Sequence, residues 1–140
     1  MTPAVLEKTI FLRASPETVW TWLTDPDCLA QWFHRPKAPL REGGRLEMPG
    51  PDGAPLIWGE IRAARPPRYL EYSFTVRPMG EAESLVIWRL DPVAGGTRLA
   101  LRHEGLPQTA EGFGLVLALD AGWEEHFARL RPAIIAPAPV

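Results

Sequence analysis

The side chains that could do chemistry are few, and their spacing argues against most catalytic classes. His34, His103 and His126 are the only histidines. No two of them sit on one element at the close spacing of a zinc motif, so no metal site is expected. His34 and His126 read as surface residues. Ser15, Ser73 and Ser84 lack the G-x-S-x-G elbow that presents a nucleophilic serine. Cys28 and His34 have no recognised nucleophile–base spacing, and Cys28 reads as a small apolar side chain packed in a short helix. Gly43-Gly44 and Gly95-Gly96 are turn glycines, neither in a phosphate-cradling loop. Glu124-Glu125 falls on the polar side of a helix, where a solvated face is the simplest reading. No catalytic residue and no cofactor is therefore assigned from linear motifs.

What remains is aromatic. By strand alternation His103 points the same way as Leu99 and Leu101, toward the interior. Trp88 lies in register with Val86 and Leu90, with Arg89 on the other face. Tyr72, Phe74, Trp88, His103, Leu119 and Trp123 would then line one common space, apolar with a few polar handles, as a small-molecule site needs. The same six residues also describe a filled core. Trp22 and Trp58 alternate with buried neighbours and read as exposed, which would offer a surface to a partner or a homodimer.

These residues need elements to hold them. Val5 to Leu12 is rich in β-formers and reads as the first strand. Ser15 is a candidate N-cap with Pro16 at the first helical position, and Val19, Trp20 and Leu23 form one face. Thr24-Asp25-Pro26 stops that helix, because the residue before proline is pushed out of the helical region. Asp25 or Asp27 would cap a second short helix carrying Leu29, Trp32 and Phe33. Strands follow at 45–48, 56–64, 70–76, 84–90 and 97–104. The alternation in 70–76 places Leu70, Tyr72, Phe74 and Val76 inside, with Glu71, Ser73 and Thr75 in solvent. Thr109 to Arg131 reads as a long helix whose stripe is Val116, Leu119, Trp123, Phe127 and Leu130. Gly122 beside Trp123 reads as a point of close approach to a neighbouring element.

Composition sets the outer bounds. A chain of 140 residues, 46% hydrophobic and 23% charged, fits one globular domain, 1–140, with a core over about 5–131 and an Ala/Pro-rich flexible tail from 132 to 140. A net charge of -2 gives no footing to nucleic acid or to an anionic membrane surface. No apolar run is long enough to span a membrane, no secretory signal is evident, and a lone cysteine excludes an internal disulfide. The cytoplasm is the expected location.

The order of elements, with SPETVWTWLTDPDCLAQWF at 15–33, GEIRAARPPRYLEYSF at 59–74, GGTRLALRHEGL at 95–106 and GW at 122–123, resembles the START-like (SRPBCC) superfamily. Within it the chain is most similar to the family homologous to the activator of the heat-shock protein 90 ATPase. The resemblance implies an α+β helix-grip fold. A curved antiparallel sheet would wrap around a long C-terminal helix, with two short helices after the first strand. It also implies a cavity between sheet and helix that takes a small hydrophobic or amphipathic molecule without turnover. A cyclase- or dehydratase-like enzyme using Tyr72 or His103 as acid/base is the second function such a fold would support. A chaperone-linked interaction domain is the third, although no segment before the first strand corresponds to the separate chaperone-binding domain of the eukaryotic activator.

Overall fold

A computed structural model of the chain describes residues 4–77, 82–107 and 112–135. In chain order the elements are β1 (Ala4–Leu12), α1 (Pro16–Thr24), α2 (Pro26–Trp32), β2 (Arg45–Pro49), β3 (Pro55–Arg65), β4 (Tyr69–Val76), β5 (Ser84–Val93), β6 (Gly96–Leu106) and α3 (Phe113–Ile135). The strands form one antiparallel six-stranded sheet in the order β1-β6-β5-β4-β3-β2, so the first strand closes onto the last. The curved sheet, the two short helices and the long helix make the expected helix-grip arrangement.

The short helices start and stop where local chemistry requires. Ser15 Oγ accepts the Thr18 amide at 3.2 Å, and Pro16 occupies the first turn. Asp25 ends α1 in an extended conformation and starts α2, its carboxylate accepting the Cys28 amide at 3.1 Å. One residue therefore caps both helices, and the sharp stop turns Leu29, Trp32 and Phe33 into the core beside Val19 and Leu23.

Two glycines permit backbone contact that a side chain would forbid. A Cβ on Gly59 would meet the Ser73 carbonyl oxygen at 1.9 Å, and one on Gly96 the Leu12 carbonyl oxygen at 2.0 Å. The second contact lies where β1 ends against the start of β6. Thr97 holds the same place, donating its hydroxyl to the Ala14 carbonyl at 2.7 Å.

The inward alternation of β4 holds at Leu70, Tyr72 and Phe74, all buried. Its outward half does not end in solvent. Ser73 and Thr75 are also buried, because both hydroxyls are used locally and Trp58 stands opposite Thr75 on β3. Ser73 Oγ accepts the Glu60 amide at 2.8 Å, and Thr75 donates to the Ala82 carbonyl at 3.0 Å. Trp58 and Trp22 are half-buried rather than exposed, and Trp22 packs on the core.

Helix α3 departs from its sequence reading at both ends. Residues 109–111 lie outside the described set, and the helix continues through Pro132 to Ile135 instead of yielding to a tail. Burial of Leu130 and Ile134 on the core side of that last turn offsets the amide that Pro132 lacks. Gly122 makes no close approach: a Cβ there would find nothing within 4 Å.

Candidate functional site

The six residues expected to share a space do meet around the middle of α3. Trp88 and Trp123 ring centroids are 5.5 Å apart and edge-on, Phe74 and His103 are 5.0 Å apart, and Phe74 and Trp123 are 6.2 Å apart. Leu119, one helical turn before Trp123, is partly buried against the same cluster. Rings also enter from the first helices. Trp32 lies 6.1 Å from Trp88 and Phe33 stacks on Trp123 at 5.2 Å. In this conformation the rings occupy the centre of the space they line. Such edge-to-face and offset pairs add about 0.5–1.5 kcal/mol each beyond the area they bury.

The polar atoms in the cluster are all used. The Trp88 indole N–H donates to the Tyr72 hydroxyl oxygen at 3.0 Å. The Trp123 indole N–H donates to His103 Nδ1 at 3.1 Å. An indole nitrogen can only donate, so Nδ1 is an acceptor and the imidazole proton sits on Nε2. That proton goes to Ser84 Oγ at 2.7 Å, and the Ser84 hydroxyl in turn donates to the Phe74 carbonyl at 2.7 Å. The chain Trp123, His103, Ser84, Phe74 is thus directed and complete, tying α3 to β6, β5 and β4.

This direction decides what the site can do. A serine nucleophile needs its histidine to accept the hydroxyl proton; here the imidazole donates to the serine. Burial pushes His103 down to about 4, so it is neutral at ordinary pH. Burial also raises the Tyr72 phenol above its usual range, against a smaller lowering from the Trp88 bond. Neither group is poised for proton transfer near neutrality. Their arrangement supports the core-histidine role that the sequence left open beside the functional one.

The core-facing stripe of α3 is covered unevenly. Trp123, Phe127, Leu130 and Ile134 are buried, whereas Val116 and Leu119 on the same stripe remain partly exposed. From Phe113 to Leu119 the helix has no charged residue and no buried one. The half of the helix before Trp123 is therefore less covered than the half from Trp123 onward.

One cluster escaped the sequence reading. His34 and His126, taken as surface residues, are half-buried with rings 5.4 Å apart, and Phe33 packs edge-on against both. Arg129 Nη2 lies 2.6 Å from His126 Nδ1, and the Trp32 carbonyl 3.1 Å from the same nitrogen. A guanidinium can only donate, so Nδ1 accepts from Arg129 and has no proton for the carbonyl. Burial, then the neighbouring His34 and Arg129, push His126 down to about 4, although a bond to Trp32 would act the other way. The available signal was spacing: His126 follows Trp123 by three residues, on the flank of the stripe. Among the described residues, no three His, Cys, Asp or Glu side chains converge as a metal site.

The fold that holds this site recurs in known proteins. A family model described as Activator of Hsp90 ATPase homolog 1-like protein matches residues 13–134. CalU16 from Micromonospora echinospora is 29% identical, with a TM-score of 0.79 over 98% of this chain and 78% of that one. DynU16, described as a protein of the dynemicin biosynthetic locus, is 25% identical with a TM-score of 0.80. That match covers 93% of this chain but 46% of DynU16, so this chain spans under half of its length. The Aha1 dimer from Colwellia psychrerythraea shares the fold, with a TM-score of 0.80 at 16% identity over 97% of this chain and 99% of that one. No curated protein matches the chain.

Proposed function

This chain belongs to the family of Activator of Hsp90 ATPase homolog 1-like proteins, and from that premise we propose that it binds a small apolar or amphipathic molecule between the sheet and the first half of α3. The observation that carries the reading is the half-covered stripe. Val116 and Leu119 continue the stripe of Trp123 but stay partly exposed, with Leu119 packed against the core. A ligand there would gain apolar contact that the protein itself leaves unmade, at roughly 25 cal/mol per Å2. Tyr72, Phe74, Trp88, His103, Leu119 and Trp123 form its floor and would rearrange to deepen the site. DynU16's place in a biosynthetic locus favours an organic small molecule as ligand. The neutral, fully bonded His103 favours binding without turnover. The cytoplasm is the proposed setting; among the described residues, no helix is long and apolar enough to cross a membrane.

The test is a panel of fatty acids, sterols, flavonoids and polyketides read by tryptophan fluorescence and thermal shift. A ligand at about 100-fold over its Kd should stabilise the fold by roughly 2.7 kcal/mol. No shift across the panel, with native mass spectrometry finding no co-purified compound, would sink the reading.

A protein-interaction reading, as a homodimer or with a chaperone, rests on a different observation. Phe113 and Leu117, one turn apart on α3, are 57% and 54% exposed. It predicts concentration-dependent association in sedimentation that Leu117→Glu abolishes; a monomer at every concentration, with no chaperone bound, removes it.

A further inference from the structure

The outer face of the sheet carries its arginines in two different states. Arg98 pairs with Asp91 at 2.7 Å, Arg102 with Glu104 at 2.6 Å and also with Glu7, and Arg62 with Glu83. Among the described residues Arg65, Arg68 and Arg89 form no ion pair; Arg65 and Arg89 both stack on Tyr69 at the start of β4, and Arg68 precedes it in the chain. Arg65 from the end of β3 and Arg89 from β5 place their guanidinium carbons 5.6 Å and 5.5 Å from the Tyr69 ring centroid. Arg68 lies in the connecting turn, where its amide donates to the Arg65 carbonyl at 2.8 Å and its carbonyl accepts the Leu90 amide at 2.9 Å. Of the neighbouring carboxylates, Glu71 accepts the Tyr69 hydroxyl, Glu42 the Ala64 amide, and Asp91 is paired with Arg98. All three arginines are exposed, and they concentrate positive charge on a chain whose net charge is -2.

We propose that Arg65 and Arg89, stacked on Tyr69, together with the exposed neighbouring Arg68, form a docking surface for a carboxylate-rich segment of a partner protein. The planar guanidinium matches a carboxylate with two parallel hydrogen bonds, and stacking on an aromatic ring holds the fork in place before the partner arrives. The ordering entropy of two long side chains is then already met in the free protein. Strands β3, β4 and β5 set the arginines across about 10 Å, the reach of acidic side chains two residues apart on an extended segment. A nucleic acid fits less well. Its affinity comes from many phosphates neutralised along a track, and here Glu71 and Asp91 flank a short cationic row. This surface lies on the opposite side of the sheet from α3 and is independent of the ligand reading.

The test is fluorescence anisotropy with a labelled oligo-glutamate peptide, an oligo-glutamine control and a single-stranded oligonucleotide at low salt. The glutamate peptide should bind and the glutamine peptide should not. Arg65→Gln with Arg89→Gln should weaken binding by about tenfold or more per arginine, while Arg131→Gln leaves it unchanged. Circular dichroism and melting temperature report whether the double variant is folded. Arg65→Lys with Arg89→Lys, which keeps the charge but not the fork, should fall between wild type and the glutamine pair. Absence of peptide binding, or affinity untouched by either pair, overturns the proposal. Tighter binding of the oligonucleotide than of the peptide also overturns it, and marks a nucleic-acid surface instead.

Discussion

The indole nitrogen of Trp123 lies 3.1 Å from Nδ1 of His103, and this bond joins the middle of the long helix to the centre of the sheet. Both residues are buried, so neither polar atom has water as an alternative partner. The bond also sets the imidazole tautomer, which in turn sets the direction of the Ser84 link.

Trp123→Phe separates the ring from its bond. The ring contacts largely survive, but His103 Nδ1 is left without a donor, and an unsatisfied buried acceptor costs about 1–3 kcal/mol. Trp123→Ala should cost more, about 3–5 kcal/mol, through loss of the ring itself. Urea denaturation midpoints of the two variants give the split; an unchanged midpoint in Trp123→Phe would show that the bond contributes nothing.

Stability should fall as pH drops from about 6.5 toward 4. An imidazole in the unfolded chain titrates near 6.5, whereas His103 and His126 are each held at about 4 in the fold. Between those values the unfolded chain binds more protons, so the contribution is complete above the upper value and is lost on acidification. His103 accounts for about 3 kcal/mol of this, and His126, more open to solvent, for less. Around His126 the facing groups are His34, Arg129 and the Trp32 carbonyl, so its proton brings cationic repulsion with Arg129 one turn along α3 and costs the bond it accepts from that guanidinium. The loss should be shallower in His126→Gln. A pH-independent melting temperature from 7 to 4 would contradict both assignments.

Glycine substitutions should divide by space. Gly122→Ala should stabilise by about 0.5–1 kcal/mol, since helical glycine is unfavourable and its Cβ site is open. Gly59→Ala and Gly96→Ala should destabilise by about 3 kcal/mol or more, because each Cβ would overlap a backbone carbonyl. Thermal melts of the three variants suffice. A destabilised Gly122→Ala would restore the close approach inferred from sequence.

Asp25→Ala should cost about 0.5–2 kcal/mol, since it removes the carboxylate that caps α2 at the junction with α1. Asp25→Asn, which keeps an acceptor, should recover most of that in the same denaturation assay.

Val116→Gln or Leu119→Gln should reduce the thermal shift given by an apolar ligand more than it reduces the melting temperature of the free protein. Both positions are partly exposed, so little core packing is lost. Trp58→Ala, on the outer face of the sheet, should leave the shift intact. Equal weakening by all three would place the ligand elsewhere.

Local signals in the chain were sufficient for the elements and for their inward faces. Ser15, Asp25 and the proline after each act within one helical turn, so their caps are written in adjacent residues. The alternation in β6 placed Leu99, Leu101 and His103 inside because a strand's side-chain period is two whatever it packs against. The six site residues were legible in the same way, four from strand alternation and Leu119 and Trp123 from the helical stripe.

What they do to one another was not legible. That His103 takes its bond from Trp123, twenty positions away, depends on how α3 lies across the sheet, and that decides between a titrating group and a neutral strut. Ser73 and Thr75 were read as solvated because alternation says nothing about what covers the outer face; Trp58, on a different strand, does part of that. His34 and His126 come together only when α2 packs on α3. The guanidiniums of Arg65 and Arg89 share Tyr69 only because strand order sets β3 and β5 on either side of β4. Periodicity within an element fixes which way a side chain points, whereas its neighbour, its charge state and its exposure are set by elements distant in the chain.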